Sequence, residues 1–177
     1  MIQCAITYKA DGKMKKILFP VGGAALFAAD QIMKSYVEQN LEKGEERPLT
    51  DRIVLRKVHN KGMCLNALDQ KPALVKRLSL VSTLIFTGVY LLTLFREKGF
   101  WIKKGLSLIT AGAWSNTLDR CMKGYVVDYI GFRLRNEKAE AVTYNLADFF
   151  VAAGSMITAA AAAFRPNRKE KKMEKDG

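Results

Sequence analysis

Residues 78–95 have the sequence LSLVSTLIFTGVYLLTLF, and none of these side chains is charged. A helix needs roughly 20 apolar residues to cross the hydrocarbon core of a bilayer. The run therefore predicts a membrane helix over about Ala73–Phe95, because flanking Lys and Arg side chains can reach the interface. The same run argues against a soluble, nucleic-acid-binding protein, which the formal charge of +12 on 177 residues would otherwise suggest.

Three further apolar segments are long enough to be candidate membrane helices. They are Ile17–Val37, Phe100–Leu118 and Ala147–Phe164. Small residues in the last two segments would let helices approach closely. The chain is thus predicted to be a mainly α integral membrane protein with four transmembrane helices.

Lys and Arg residues are distributed unevenly along the chain. Residues 1–16, 96–104 and 165–177 contain 14 of them in 38 positions, whereas residues 35–72 and 120–143 contain 12 in 62 positions. Positive charge is concentrated on cytoplasmic segments, so both termini are predicted to be cytoplasmic. The predicted divisions are a cytoplasmic N-terminal segment (1–16), a four-helix membrane domain (17–164) and a basic cytoplasmic tail (165–177).

Two segments between the predicted helices have strand-like composition. Residues Ile53–Val58 and Val126–Arg133 are rich in β-branched and aromatic residues and are bounded by polar ones. Both segments lie on the predicted outer side. They predict a small extracytoplasmic β-sheet over the outer ends of the helices.

The sequence contains few residues suited to metal or histidine chemistry. Cys4, Cys64 and Cys121 do not have the spacing of a metal site, and His59 is the single histidine. One histidine argues against a Ser/His triad or a histidine-based metal centre. We therefore predict no metal and no cofactor.

Asp128 and Asp148 each lie in a polar motif beside a predicted membrane helix. Ionisable groups beside hydrocarbon are costly and indicate a functional site. If the two carboxylates meet, they cannot both ionise, and one can act as general base while the other donates a proton. Two structural interpretations stay open: a solvated strand residue for Asp128, and a helix N-cap formed by Asn145 or Asp148.

Other polar residues have a structural and a functional interpretation. Asp30 and Lys34 are four residues apart, so they can form a helical ion pair or a polar wall of a site. Asn60 and Gly62 are typical of a turn, or of an Asn that binds a peptide beside a permissive Gly. Asp119 is expected to pair with the adjacent Arg120, an adjacency that would keep the carboxylate ionised.

Taken in order, these motifs resemble lipoprotein signal peptidase (signal peptidase II) over roughly residues 15–164. The motifs are Asp30-x-x-x-Lys34, Asn60-x-Gly62, Asn116-x-x-Asp119-Arg120, Gly124-x-Val126-Val127-Asp128 and Asn145-x-Ala147-Asp148. The resemblance implies a bacterial four-helix membrane aspartyl protease of the inner (plasma) membrane. Such an enzyme cleaves a prolipoprotein signal peptide just before the Cys that carries diacylglycerol, at the extracytoplasmic face, and globomycin inhibits it.

The resemblance also implies a role for each motif residue. Asp128 and Asp148 would be the catalytic pair. Substrate-binding roles would fall to Asn60, Gly62, Asn116, Arg120 and Asn145, and supporting roles to Asp30, Lys34 and Asp119. A rival assignment pairs Asp119 with Asp148; Asp128 is preferred because Asp119 has Arg120 beside it.

Two stretches depart from the family pattern: Met63-Cys64-Leu65 and Trp114-Ser115. They support one alternative, a catalytically inactive relative that binds lipidated peptides. A second alternative is a small membrane transporter component with aspartates along an ion path. That alternative requires charges near mid-membrane, whereas these charges lie at the helix ends.

Overall fold

The computed structural model describes residues 2–62, 68–136 and 140–164, with side chains from residue 18 onward. Within these residues the helices are α1 (Ile2–Asn40), α2 (Pro72–Leu94), α3 (Phe100–Met122) and α4 (Leu146–Ala163). All four predicted helical segments are helical. The predicted start of the first was wrong, because α1 begins at Ile2 and Pro20 lies inside it rather than in its first turn.

Helix α3 is the centre of the helical part, because α1, α2 and α4 all pack against it. Two of its four charged residues, Lys103 and Asp119, are buried in the protein. A helix enclosed by other helices does not need the apolar surface of one that faces lipid. In the described part of the chain, α2 and α4 alone are long and apolar enough to cross a membrane.

Glycines allow α3 and α4 to approach closely. A Cβ added at Gly154 would lie 2.5 Å from the carbonyl oxygen of Gly105, and one added at Gly112 would overlap the carbonyl of Ala147. Small residues at a helix interface allow this approach in membrane proteins. The contact at Gly112 fixes the first turn of α4 against α3.

Four strands form one antiparallel sheet in the order β1 (Glu46–Pro48), β2 (Ile53–Asn60), β3 (Val126–Phe132) and β4 (Thr143–Tyr144). The predicted strands correspond to β2 and β3, whereas β1 and β4 were not predicted. The sheet adjoins the helix ends at which α1 and α3 finish and α2 and α4 begin.

Strand β3 has two faces with different roles. Val127 and Tyr129 pack in a core with Val37 and Leu41 of α1. Side chains alternate across a strand, so Asp128 points to the opposite face. That face borders a cavity.

Candidate active site

A cavity of about 500 Å³ lies between the sheet and helices α2, α3 and α4. Five residues predicted for the site line it: Asn60, Asn116, Arg120, Asp128 and Asp148. The rest of its wall includes apolar side chains such as Phe86 of α2, Ile109 of α3 and Val151 of α4. The cavity is therefore polar where the helices meet the sheet and apolar between the helices.

Asp128 is 3% exposed and accepts two hydrogen bonds from asparagines. Asn60 Nδ2 donates to Oδ2 at 2.9 Å, and Asn145 Nδ2 donates to Oδ1 at 2.6 Å. Burial, followed by the neighbouring Asp148 carboxylate, raises the pKa of Asp128 from 3.8 to about 7. Asp128 can therefore hold a proton at neutral pH.

Asp148 lies in the first turn of α4 and forms a capping box with Asn145. Asp148 N donates to Asn145 Oδ1 at 3.0 Å, and Asn145 N donates to Asp148 Oδ2 at 3.1 Å. The other carboxylate oxygen accepts from Asn116 Nδ2 at 2.9 Å. The predicted N-cap is therefore present, and Asp148 also lines the cavity.

Asn145 connects the two aspartates although it is not among the residues that line the cavity. It is fully buried. Its Oδ1 accepts from the Asp148 backbone, which leaves its Nδ2 free to donate to Asp128. One side chain thus fixes both carboxylates relative to each other.

Lys34 lies behind this pair and is fully buried. Its Nζ donates to Asn116 Oδ1 at 2.7 Å, so the amide of Asn116 is oriented with Nδ2 toward Asp148. Lys34 also pairs with Asp30 at 2.8 Å and with Asp119 at 3.3 Å. The predicted i,i+4 pair exists, but it is part of a larger buried network.

Asp30 is fully buried and receives donors from three other elements. Ser115 Oγ donates to its Oδ2 at 2.6 Å, and Tyr129 OH donates to its Oδ1 at 2.9 Å. The backbone N–H of Ala147 donates to the same Oδ1 at 3.3 Å. Asp30 thereby joins α1 to α3, β3 and the start of α4.

The predicted pairing of Asp119 with Arg120 was wrong. Asp119 is 1% exposed and pairs with Lys34 and, at 2.9 Å, with Lys123. Neighbouring residues in a helix do not face each other, whereas residues four apart do, which explains the choice of Lys123. Arg120 instead donates to the carbonyl of Gly62 at 2.8 Å, and Asp119 does not line the cavity.

Asn60 forms the predicted turn and also binds Asp128, a contact that was not predicted. Its Oδ1 accepts from Gly62 N at 2.9 Å, which is an Asx turn. Its Nδ2 remains free to donate to Asp128. Gly62 is not among the cavity-lining residues, so its contact with the site is through Asn60 and Arg120.

The two departures from the family pattern have different positions. Met63-Cys64-Leu65 lies outside the described residues. Trp114 lines a separate apolar cavity between α1, α2 and α3, where its indole N–H donates to Thr87 Oγ1 at 2.9 Å. Ser115 binds Asp30. Neither Trp114 nor Ser115 borders the cavity that contains the two aspartates.

A mainly helical protein with a buried and a partly buried carboxyl group on one cavity wall has a site suited to general acid–base chemistry. A family model described as signal peptidase (SPase) II matches residues 23–164. The lipoprotein signal peptidase of Trichormus variabilis is 34% identical over 143 residues, covering 80% of this chain and 87% of that protein. That of Streptococcus pneumoniae is 30% identical over 144 residues, covering 81% and 90%.

Two solved structures of bacterial membrane enzymes have the same fold. One has a TM-score of 0.70 at 20% identity and covers 84% of this chain and 87% of its own. The other has a TM-score of 0.68 at 20% identity and covers 85% and 94%. The chain belongs to the signal peptidase II family, and it is accordingly a membrane-associated protease.

Proposed function

We propose that this protein is an aspartic endopeptidase that removes the signal peptide from diacylglyceryl-modified prolipoproteins, with Asp128 and Asp148 as its catalytic pair. The single observation that carries the proposal is that both carboxylates line one cavity and are fixed there by asparagines. The curated relatives named lipoprotein signal peptidase support the substrate class.

Each member of the pair accepts two hydrogen bonds from N–H donors, Asp148 from Asn116 and the Asn145 backbone, and Asp128 from Asn60 and Asn145. Their burial differs, because Asp128 is 3% exposed whereas Asp148 is only partly buried. Burial disfavours an ionised carboxylate, and the pKa of Asp128 is raised to about 7, so Asp128 is the member that retains a proton near neutral pH. We assign Asp148 as the general base and Asp128 as the general acid, although the titration belongs to the pair.

The reaction then needs a single water molecule between the carboxylates and the scissile carbonyl. Asp148 accepts a proton as the water oxygen attacks the carbonyl carbon, and Asp128 donates its proton to the carbonyl oxygen. As the tetrahedral intermediate collapses, the C–N bond breaks, the leaving nitrogen takes the proton that Asp148 had accepted, and one hydroxyl of the intermediate returns a proton to Asp128. The two products are the signal peptide and the lipoprotein with its acylated cysteine at the N-terminus.

The shape of the cavity supports entry of a lipid-anchored substrate from the side. Helices α2 and α4 both pack on α3 and, within the described residues, make few contacts with each other. The apolar part of the cavity lies between these two helices. An acylated cysteine could thus stay in apolar surroundings while its peptide bond reaches the aspartates. We expect globomycin to bind in the same cavity.

We further propose that all four helices cross the membrane, with the cavity at the extracytoplasmic face and both termini in the cytoplasm. The density of Lys and Arg in residues 1–16, 96–104 and 165–177 supports this orientation. An alkaline phosphatase fusion, which is active only outside the cytoplasm, should be active when joined at Asp51 and inactive when joined at Lys98. The reverse pattern would overturn the orientation.

The decisive experiment is cleavage of a diacylglyceryl prolipoprotein by the purified protein in detergent. Asp128→Asn and Asp148→Asn should each lower the rate at least ~10³-fold, since each removes one of the two proton-transfer groups. Asp51→Asn is the matched control, because it makes the same change at an exposed position. Its rate should equal that of the wild type.

A third variant, Asp119→Asn, separates the two possible pairs. With Asp119 outside the cavity, this variant should keep partial activity as long as its melting temperature shows that it is folded. Activity in Asp128→Asn combined with none in a folded Asp119→Asn would move the pair to Asp119 and Asp148. No cleavage by a folded wild type, at any substrate concentration, would favour the lipidated-peptide-binding alternative.

A further inference from the structure

The first three backbone N–H groups of α4 all have hydrogen-bond partners. Asp148 N is bound by Asn145 Oδ1, Ala147 N by Asp30 Oδ1, and Leu146 N donates to Tyr129 OH at 3.2 Å. The start of a helix leaves four such groups without partners inside the helix. Here two of the three partners come from other elements, α1 and β3, so the position of the turn depends on the tertiary structure.

The hydroxyl of Tyr129 makes two bonds that are compatible with each other. It donates its hydrogen to Asp30 Oδ1 at 2.9 Å and accepts from Leu146 N through a lone pair. Tyr129 is 1% exposed, and burial together with Asp30 raises the pKa of its phenol. The phenol therefore stays protonated at neutral pH and can donate to Asp30.

Tyr129 follows Asp128 directly on β3, and the two side chains lie on opposite faces of the strand. One side chain enters the cavity, and the other holds the turn that carries Asp148. We propose that Tyr129 is a positioning residue for the reaction, because its hydroxyl fixes the first turn of α4, and with it Asp148, relative to Asp128. This inference rests on the proposed function of the two aspartates.

The test is Tyr129→Phe, which removes one oxygen and keeps the ring in the core. A small displacement of a catalytic group can cost up to ~10²-fold in rate, so we expect kcat to fall about tenfold with KM unchanged. The exchange of backbone amide hydrogens in a peptide covering residues 144–150, measured by mass spectrometry, should become faster because Leu146 N loses its partner.

Tyr125→Phe is the matched control. Its hydroxyl also donates to a carboxylate, Glu38 Oε1 at 3.3 Å, but among the described residues it forms no hydrogen bond with α4 or with either aspartate. We expect this variant to leave kcat and the exchange of residues 144–150 at their wild-type values. The comparison therefore isolates the bond to α4 from the general loss of a tyrosine hydroxyl.

Three results would overturn the role of Tyr129. The first is unchanged amide exchange in Tyr129→Phe, whatever its cleavage rate. The second is faster exchange with an unchanged kcat, and the third is a loss of rate that lies entirely in KM. Failure of the proposed function gives a different result, because the wild type would then cleave no prolipoprotein. The amide exchange of residues 144–150 in the two tyrosine variants could still be measured and compared.

Discussion

Replacing Asp128 with Asn should change the stability of the protein in a way that depends on pH. The folded state holds the pKa of Asp128 at about 7, against 3.8 for the free side chain. Between these values the folded state binds more protons than the unfolded state, so the wild type loses stability as pH rises through this window. An Asn at this position does not titrate, so the variant does not lose stability in this way as pH rises.

The size of the effect follows from the pKa. A shift of roughly three pKa units corresponds to about 4 kcal/mol when the carboxyl is fully ionised, of which about 2–3 kcal/mol develops between pH 5 and pH 8. The variant also loses a hydrogen bond. Asn60 and Asn145 are fixed as donors to Asp128, because their own oxygens accept from backbone N–H groups. The NH2 of the new amide would face the NH2 of Asn60 or of Asn145, so two donors would meet without an acceptor. The cost is about 1–3 kcal/mol and does not depend on pH.

Thermal unfolding in detergent, followed by circular dichroism at pH 5, 6, 7 and 8, measures the difference. The melting temperature of Asp128→Asn should rise relative to wild type by roughly 5–10 °C from pH 5 to pH 8, at about 2–4 °C per kcal/mol. Asp51→Asn, which changes an exposed carboxyl, should show no such trend. A difference that is the same at pH 5 and pH 8, or that falls with pH, would refute the argument that burial beside Asp148 keeps Asp128 protonated.

Two further substitutions test the surroundings of the site. Lys34→Met removes a fully buried cation, so the buried carboxylates of Asp30 and Asp119 each lose an ion pair. We expect a loss of about 3–5 kcal/mol, measured as a lower melting temperature; an unchanged one would contradict the buried network. Gly112→Ala should lower both stability and cleavage, because its Cβ would overlap the carbonyl of Ala147 beside the catalytic turn. Gly88→Ala is the control, because an added Cβ there meets nothing within 4 Å. It should leave the cleavage rate unchanged and change the stability by between zero and about 1 kcal/mol in the stabilising direction.

The sequence predicted the elements of the fold better than their limits. Apolar runs located α2 and α4 to within a residue or two, because a helix that can cross a membrane must be apolar along its length. β2 and β3 were found because each contains three β-branched residues. β1 and β4 have only three and two residues, which is too short for a pattern of strand-forming residues to be recognised.

The candidate site was predicted as a set of residues but not as a network. Spacing along α1 indicated that Asp30 and Lys34 could pair, and the structure contains this pair. Spacing could not show that Lys34 also reaches Asn116 on a different helix. The role of Tyr129 was missed for the same reason, since its partner Leu146 lies 17 residues further along the chain and pairs through the backbone.

Counting charges in this network explains why one aspartate keeps a proton. The charged groups of the described network are the cations Lys34, Arg120 and Lys123 and the carboxyls Asp30, Asp119, Asp128 and Asp148. Unbalanced charge is costly in a buried site, and four carboxylates against three cations would leave one negative charge in excess. A single shared proton removes it. Lys34 and Lys123 both contact Asp119, so those cations are already engaged there, and the proton belongs to the pair that faces the cavity. The residues around the pair therefore favour the single shared proton that the proposed mechanism uses.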